Sequence, residues 1–175
     1  MKQQLIITIL GANKVGILST LADAVSESGC NILDSRQAVY GQDFSLTMIV
    51  EGTPSAIVRV ELAIPVSCQQ NDLLSMMKRT KRHCKQNLEH LADVEFSGVD
   101  ALGVIKQVTH FFSKYNVTVS ALRLKTLQSE PKGEDLVKCK MVVSMPHDIQ
   151  YSEFDAQFTA LLNDLNLQGA IKQNH

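Results

Sequence analysis

The chain has 175 residues, 45% of them apolar and 20% charged, which leaves room for two small domains that each build a core. A formal charge of −1 supplies no broad positive field, so nucleic acid as the main partner is disfavoured. The apolar run Leu5 to Leu10 is too short for a signal peptide or a membrane span, so we expect a cytoplasmic protein with no membrane partner.

Leu5 to Leu10, rich in β-branched residues, predicts a covered central strand. From Val15 to Ser28 the residues Ile17, Leu18, Leu21 and Val25 recur at helical spacing, and Gly29 follows as a stop. Asn31 to Val39 and Phe44 to Glu51 flank Tyr40-Gly41-Gln42-Asp43 and predict a hairpin. Thr53-Pro54 supplies an N-cap and a first-turn proline for a second helix, expected to end near Ile64 because Pro65 disfavours helical geometry before it. Leu73 to Lys78 is the fourth strand.

The order then repeats. Ala92, Val94 and Phe96 mark a strand, and Val104, Ile105, Val108 and Phe112 stripe a helix ending near Tyr115-Asn116. Val117 to Leu127 is a strand, Ser129 to Asp135 a polar loop, and Val137, Cys139, Met141 and Val143 alternate with Lys138 and Lys140 in a half-buried strand. Ser152 is the expected cap of a helix striped by Phe154, Phe158, Leu161, Leu162 and Leu165, and Gln168 to Gln173 closes the module. Both halves read βαββαβ, so the expected class is α+β: two tandem ferredoxin-like modules, residues 1–86 and 87–175, each an antiparallel sheet with its helices on one face. An RNA-recognition motif shares this topology but needs stacking aromatics on its central strands, and Phe44-Ser-Leu-Thr-Met-Ile-Val has no matching set.

The repeat is most visible in Gly11-Ala-Asn13-Lys-Val-Gly16-Ile-Leu, which returns as Gly98-Val-Asp100-Ala-Leu-Gly103-Val-Ile, with Gly98 87 positions after Gly11. The glycines permit a close bend into a helix whose unpaired N–H groups attract an anion such as a carboxylate. Asn13 projects an amide that can accept from an ammonium group, and Asn31, after the same helix, could return near it. On the residues alone the favoured reading is that they are turn formers whose Asn side chains satisfy backbone groups. G-x-N-x-x-G is no dinucleotide fingerprint, because it lacks the middle glycine.

Gly11-Ala-Asn-Lys-Val-Gly16-Ile-Leu with Gly29-Cys-Asn31-Ile resembles the ACT domain, and two copies cover almost the whole chain. The resemblance implies βαββαβ modules that bind amino acids between paired domains, within a chain or a homo-oligomer, often with edge strands side by side. Asn13 and Asn31 stand where the serine-sensing ACT domain of phosphoglycerate dehydrogenase places its ligand-binding asparagines. Asn13 replaces the family's commoner Asp, Val15 its usual Pro, and Gly11 the serine sensor's His, which leaves the ligand open. The implied ligand set is Ala12, Asn13, Val15, Gly16, Ile17, Asn31 and Asp34, with a second set at Asp100, Leu102, Gly103, Val104 and Asn116. Leu33 to Arg36 and Val119 to Leu122 lie on the strands expected at the edges.

With no catalytic domain, and with Asn31-Ile-Leu-Asp34-Ser35-Arg36 and Leu73-Leu-Ser-Met-Met-Lys78-Arg79-Thr80, the chain is similar to a family of tandem-ACT transcriptional regulators. That resemblance implies glycine as the sensed amino acid and a DNA-binding activator of glycine cleavage genes as the protein partner, with no direct hold on DNA. A detached ACT subunit controlling a biosynthetic enzyme is the alternative. Strands separate the helices throughout, which leaves no helix-turn-helix.

The cysteines Cys30, Cys68, Cys84 and Cys139 form no close pair and are expected as reduced thiols. No metal or cofactor is expected, since adjacent His83 and Cys84 cannot converge on one tetrahedral ion. His83, His90, His110, His147 and His175 are scattered and no Ser or Cys elbow accompanies them, so no catalytic residue is expected. The run Lys78, Arg79, Lys81, Arg82, His83 and Lys85 reads first as a solvated strand end and linker, then as a partner-docking site, and last as a DNA contact.

Overall fold

The computed structural model describes residues 1–81, 90–128 and 133–173. The chain divides into two compact units, Met1–Cys84 and Lys85–His175. The boundary expected between residues 86 and 87 lies outside the described residues, as do Arg82, His83, Cys84, Lys85 and His175.

The first unit runs β1 (Gln3–Ala12), α1 (Ile17–Glu27), β2 (Asn31–Tyr40), β3 (Asp43–Gly52), α2 (Pro54–Gln70) and β4 (Leu73–Thr80). The second repeats it as β5 (Leu91–Val99), α3 (Val104–Lys114), β6 (Thr118–Leu127), β7 (Leu136–Ser144), α4 (Tyr151–Asp164) and β8 (Leu167–Gln173). Each forms an antiparallel four-stranded sheet, ordered β2-β3-β1-β4 and β6-β7-β5-β8. This is the ferredoxin-like α+β arrangement expected from the pattern, with the first and third strands at the centre.

Alternation decides which face is covered. Leu5, Ile7 and Ile9 of β1 and Phe44, Leu46 and Met48 of β3 pack in one cluster with Ile17, Leu21 and Val25 of α1 and Ile57, Val60 and Ile64 of α2. Fully burying side chains of this size contributes about 1.5–3 kcal/mol each, so the apolar stripe of each helix is what holds it to the sheet. In the second unit Val94, Phe96, Cys139 and Met141 meet Val108, Phe112, Phe154 and Phe158 in the same way. The outer strands β2 and β6 are exposed along almost their whole length. Both carry a register shift, between Ile32 and Asp34 and between Val119 and Ala121, so even this irregularity repeats at the same interval.

Two helix boundaries differ from expectation. The helix capped by Thr53, whose Oγ1 accepts from the Ala56 N–H at 3.2 Å, does not stop before Pro65 but continues to Gln70. Ile64 and Cys68 extend the buried stripe of Ala56, Ile57 and Val60, and this burial outweighs the backbone hydrogen bond that proline forfeits. Pro65 itself is exposed, so the defect lies on the solvent side. In the second unit Ser152 is not the cap of α4; Gln150 holds that position and Tyr151 begins the helix. The Tyr151 hydroxyl donates to the Ile171 carbonyl at 3.1 Å, a tertiary anchor on β8 that draws the helix start forward.

Candidate functional site

Asn13-Lys14-Val15-Gly16 carries the chain from β1 into α1. The Asn13 N–H donates to the Gln42 carbonyl at 2.8 Å, tying this turn to the β2–β3 hairpin, and the Ile17 N–H donates to Lys14 O at 3.2 Å. Gly16 precedes the helix at φ 84°, in the left-handed region, and no side chain caps α1. Gly11 lies inside β1 and not in the turn, so the paired glycines of the repeat have separate roles.

The electrostatics follow from this geometry. The N–H groups of Leu18 and Ser19 have no protein acceptor among the described residues, and the first turn of α1 holds no acidic residue. Unpaired donors and the positive end of the helix dipole therefore face solvent together. The Ile17 N–H is occupied by Lys14, whereas those of Leu18 and Ser19 are open, which only the backbone bonding reveals. Ala12, Asn13, Val15, Gly16 and Ile17 are brought together at this turn, with Ile17 buried beneath it and Val15 fully exposed at its tip. The Asn13 side chain is exposed and makes no hydrogen bond among the described residues, so it does not serve as a turn-satisfying group.

Asn31 does not return to this turn. The register places it opposite Glu51, which faces Gln4 at the start of β1, whereas Asn13 follows Ala12 at the far end. At ~3.3 Å per residue the two rows are roughly 30 Å apart, a gap that no small amino acid bridges. Asp34, also on β2, faces Ile49 and lies 3.7 Å from Arg36 Nη2, away from the turn.

The second copy reproduces the turn and loses the asparagines. Asp100 N–H donates to Asp135 O at 2.7 Å, Gly103 has φ 85°, and α3 likewise has no side-chain cap. Asp100, Leu102, Gly103 and Val104 gather here, Leu102 fully exposed at the tip as Val15 is in the first copy. Asn116, a member of the second expected ligand set, has φ 54° just past the end of α3 and does the work of Gly29, whose φ is 79°. The position equivalent to Asn31 is held by Thr118, the first residue of β6.

His90 and His147, scattered in sequence, meet in the second unit: Nε2 and Nδ1 lie 2.7 Å apart with rings nearly perpendicular. The Met145 N–H donates to the His90 carbonyl at 2.9 Å and sets the pair side by side. Among the described residues no group of three His, Cys, Asp or Glu side chains could hold a metal ion. Cys30, Cys68 and Cys139 are buried free thiols. Burial pushes the Cys139 thiol up to about 11 and raises Cys30 and Cys68 in the same direction, the opposite of an activated nucleophile. No helix among the described residues is long and apolar enough to cross a membrane.

The ACT domain profile matches residues 3–78. Over 167 residues, covering 95% of this chain and 88% of the relative, the chain is 30% identical to the glycine cleavage system transcriptional repressor of Escherichia coli (strain K12). The chain belongs to this tandem ACT-domain repressor family. It is a regulatory protein and not an enzyme, in keeping with the repressor named among its relatives. A solved structure named for a glycine cleavage system transcriptional repressor superimposes with a TM-score of 0.76 at 31% identity, covering 99% of this chain and 98% of that one. An unknown protein from Galdieria sulphuraria shares the fold at a TM-score of 0.79 and 18% identity over the full length of both chains.

Proposed function

We propose that this member of the repressor family senses a small amino acid, glycine in the first instance, at the Asn13–Gly16 turn, and that occupancy controls its hold on a DNA-binding activator in the cytoplasm. The observation that carries the reading is the uncapped start of α1: open N–H groups at Leu18 and Ser19 for a carboxylate, beside an Asn13 amide with no other hydrogen-bond partner among the described residues. The name of the Escherichia coli relative supports glycine cleavage genes as the target. Among the described residues every helix is followed by a strand, so no helix pair resembles a DNA-reading helix-turn-helix, which favours action through a protein partner.

The gap between Asn13 and Asn31 refines the site. The second unit has threonine at the position of Asn31, so a pocket that uses both asparagines takes Asn31 from a second copy of the chain. Calorimetry with glycine tests the ligand, with serine and alanine as comparators. Loss of a charge-assisted hydrogen bond in Asn13→Ala should cost roughly 1–3 kcal/mol of affinity. Binding of glycine by the variant as tightly as by the wild type rejects Asn13 as a ligand. Affinity capture with and without glycine tests the second half: a glycine-sensitive complex with an activator supports it, and capture of a biosynthetic enzyme in its place supports the detached-subunit alternative.

A further inference from the structure

The open face of the second sheet carries charge that the fold does not require. Val137, Cys139 and Met141 of β7 turn toward the helices and are buried, which leaves Lys138 and Lys140 on the opposite face. In register, Lys125 of β6 faces Lys138, and Arg123 faces Lys140. Four cations thus form a two-by-two array on adjacent strands around a shallow depression of about 220 Å³. Like charges directly opposite on antiparallel strands destabilise a sheet, and here the arrangement occurs twice in succession.

One neighbouring acid offsets part of it. Glu95 of β5 binds Lys140 at 2.7 Å and also attracts Lys138 from further off, while Arg123, Lys125 and Lys138 form no ion pair among the described residues. The same fold is free of the array in its other copy. There the equivalent positions are Arg36 and Ala38 on β2, facing Thr47 and Ser45 on β3, with Arg36 beside Asp34 at 3.7 Å. The cations are therefore a property of this sequence and not of the topology, and a local rule broken without a structural return marks a functional surface.

The chemistry selects the partner. No aromatic residue stands in the open-face rows Lys125–Lys138–Ser97–Gln168 and Arg123–Lys140–Glu95–Ala170, so bases have no stacking platform. Four cations also fall short of the roughly six to ten phosphate contacts of a duplex-binding site. Alternate residues on a strand are roughly 7 Å apart, a spacing that an extended polypeptide with carboxylates at alternate positions repeats, and Arg123 can take a carboxylate in bidentate fashion. The geometry points to an acidic, extended protein segment docking on Arg123, Lys125, Lys138 and Lys140. This goes beyond the amino-acid-sensing reading, because it requires neither a ligand at the Asn13 turn nor a transcription factor.

The test uses the full chain and a short fluorescent peptide of alternating Glu and Ser, measured by anisotropy over a range of salt concentrations. Wild type should bind with an affinity that falls as salt rises, and the double variant R123E/K138E should lose about tenfold or more. K114E, on the helix layer, should bind as wild type does. K138A separates docking from folding, since removing a like-charge neighbour should leave the melting temperature equal or higher while peptide affinity drops. The proposal is overturned if wild type does not bind the peptide, if R123E/K138E binds it equally well, or if a single-stranded oligonucleotide of matched charge binds this face more tightly than the peptide.

Discussion

Gly11 of β1 faces Leu73 of β4 so closely that a Cβ on Gly11 would lie 2.5 Å from Leu73 Cδ2 and 3.2 Å from the Asp72 carbonyl. Gly98 and Leu167 repeat the contact, at 2.8 Å from both Leu167 Cδ2 and the Asn166 carbonyl. The first glycine of each motif thus lets the chain after the second helix pass close to the central strand, which seats the last strand of the module. At Gly16 and Gly103 a Cβ meets nothing within 4 Å, and the positive φ alone disfavours a side chain.

Gly11→Ala and Gly98→Ala should each destabilise their unit by about 1–3 kcal/mol through overpacking. Gly16→Ala should cost about 1–2 kcal/mol through backbone strain, with no steric part. Urea unfolding of the three variants, with Leu73→Ala introduced beside Gly11→Ala, distinguishes the causes: the smaller partner should reduce the cost of a Cβ at Gly11 in a double-mutant cycle and leave that of Gly16→Ala unchanged.

Pro65→Ala should stabilise the first unit by about 1–3 kcal/mol. Pro65 is exposed in the interior of α2, so alanine restores a helical hydrogen bond without disturbing the buried stripe of Ile64 and Cys68. A rise in the denaturation midpoint checks this, and an unchanged or lower midpoint means that proline there has a structural task.

Arg79 Nε and Nη2 donate to the two carboxylate oxygens of Glu61, both at 2.7 Å, joining β4 to α2. These hydrogen bonds hold the Glu61 carboxyl below its ordinary 4.5, so the stability it contributes is present above that value and lost as pH falls through the lowered folded value. Glu61→Gln should flatten this part of the acid limb of a stability profile while changing neutral-pH stability only slightly, because the pair is solvent-screened.

Cys139 should resist alkylation in the native protein. Its folded thiol ionises near 11 against 9.0 when unfolded, so the unfolded state releases its proton first, and stability falls as pH rises from about 9 toward about 11. Mass spectrometry after iodoacetamide treatment should find Cys139 unmodified under native conditions and modified in urea; rapid native labelling would contradict its burial.

Much of this protein is written locally. The strand and helix periods, the Thr53-Pro54 cap and the repeated glycine pair depend on neighbours within a few residues, so they are legible in the chain and lead to the tandem ACT architecture. What escapes is set by register and burial between distant segments. Whether Pro65 ends α2 depends on what Cys68 buries, and whether Asn31 meets Asn13 depends on which β3 residue faces it. That Arg123, Lys125, Lys138 and Lys140 gather four cations on one face, where the equivalent face of the first copy has Arg36, Ala38, Thr47 and Ser45, follows from two strands being aligned across a loop. A one-residue slip in that alignment would turn one pair of cations away from the other, and only the tertiary structure, by burying Cys139 and Met141, decides against it.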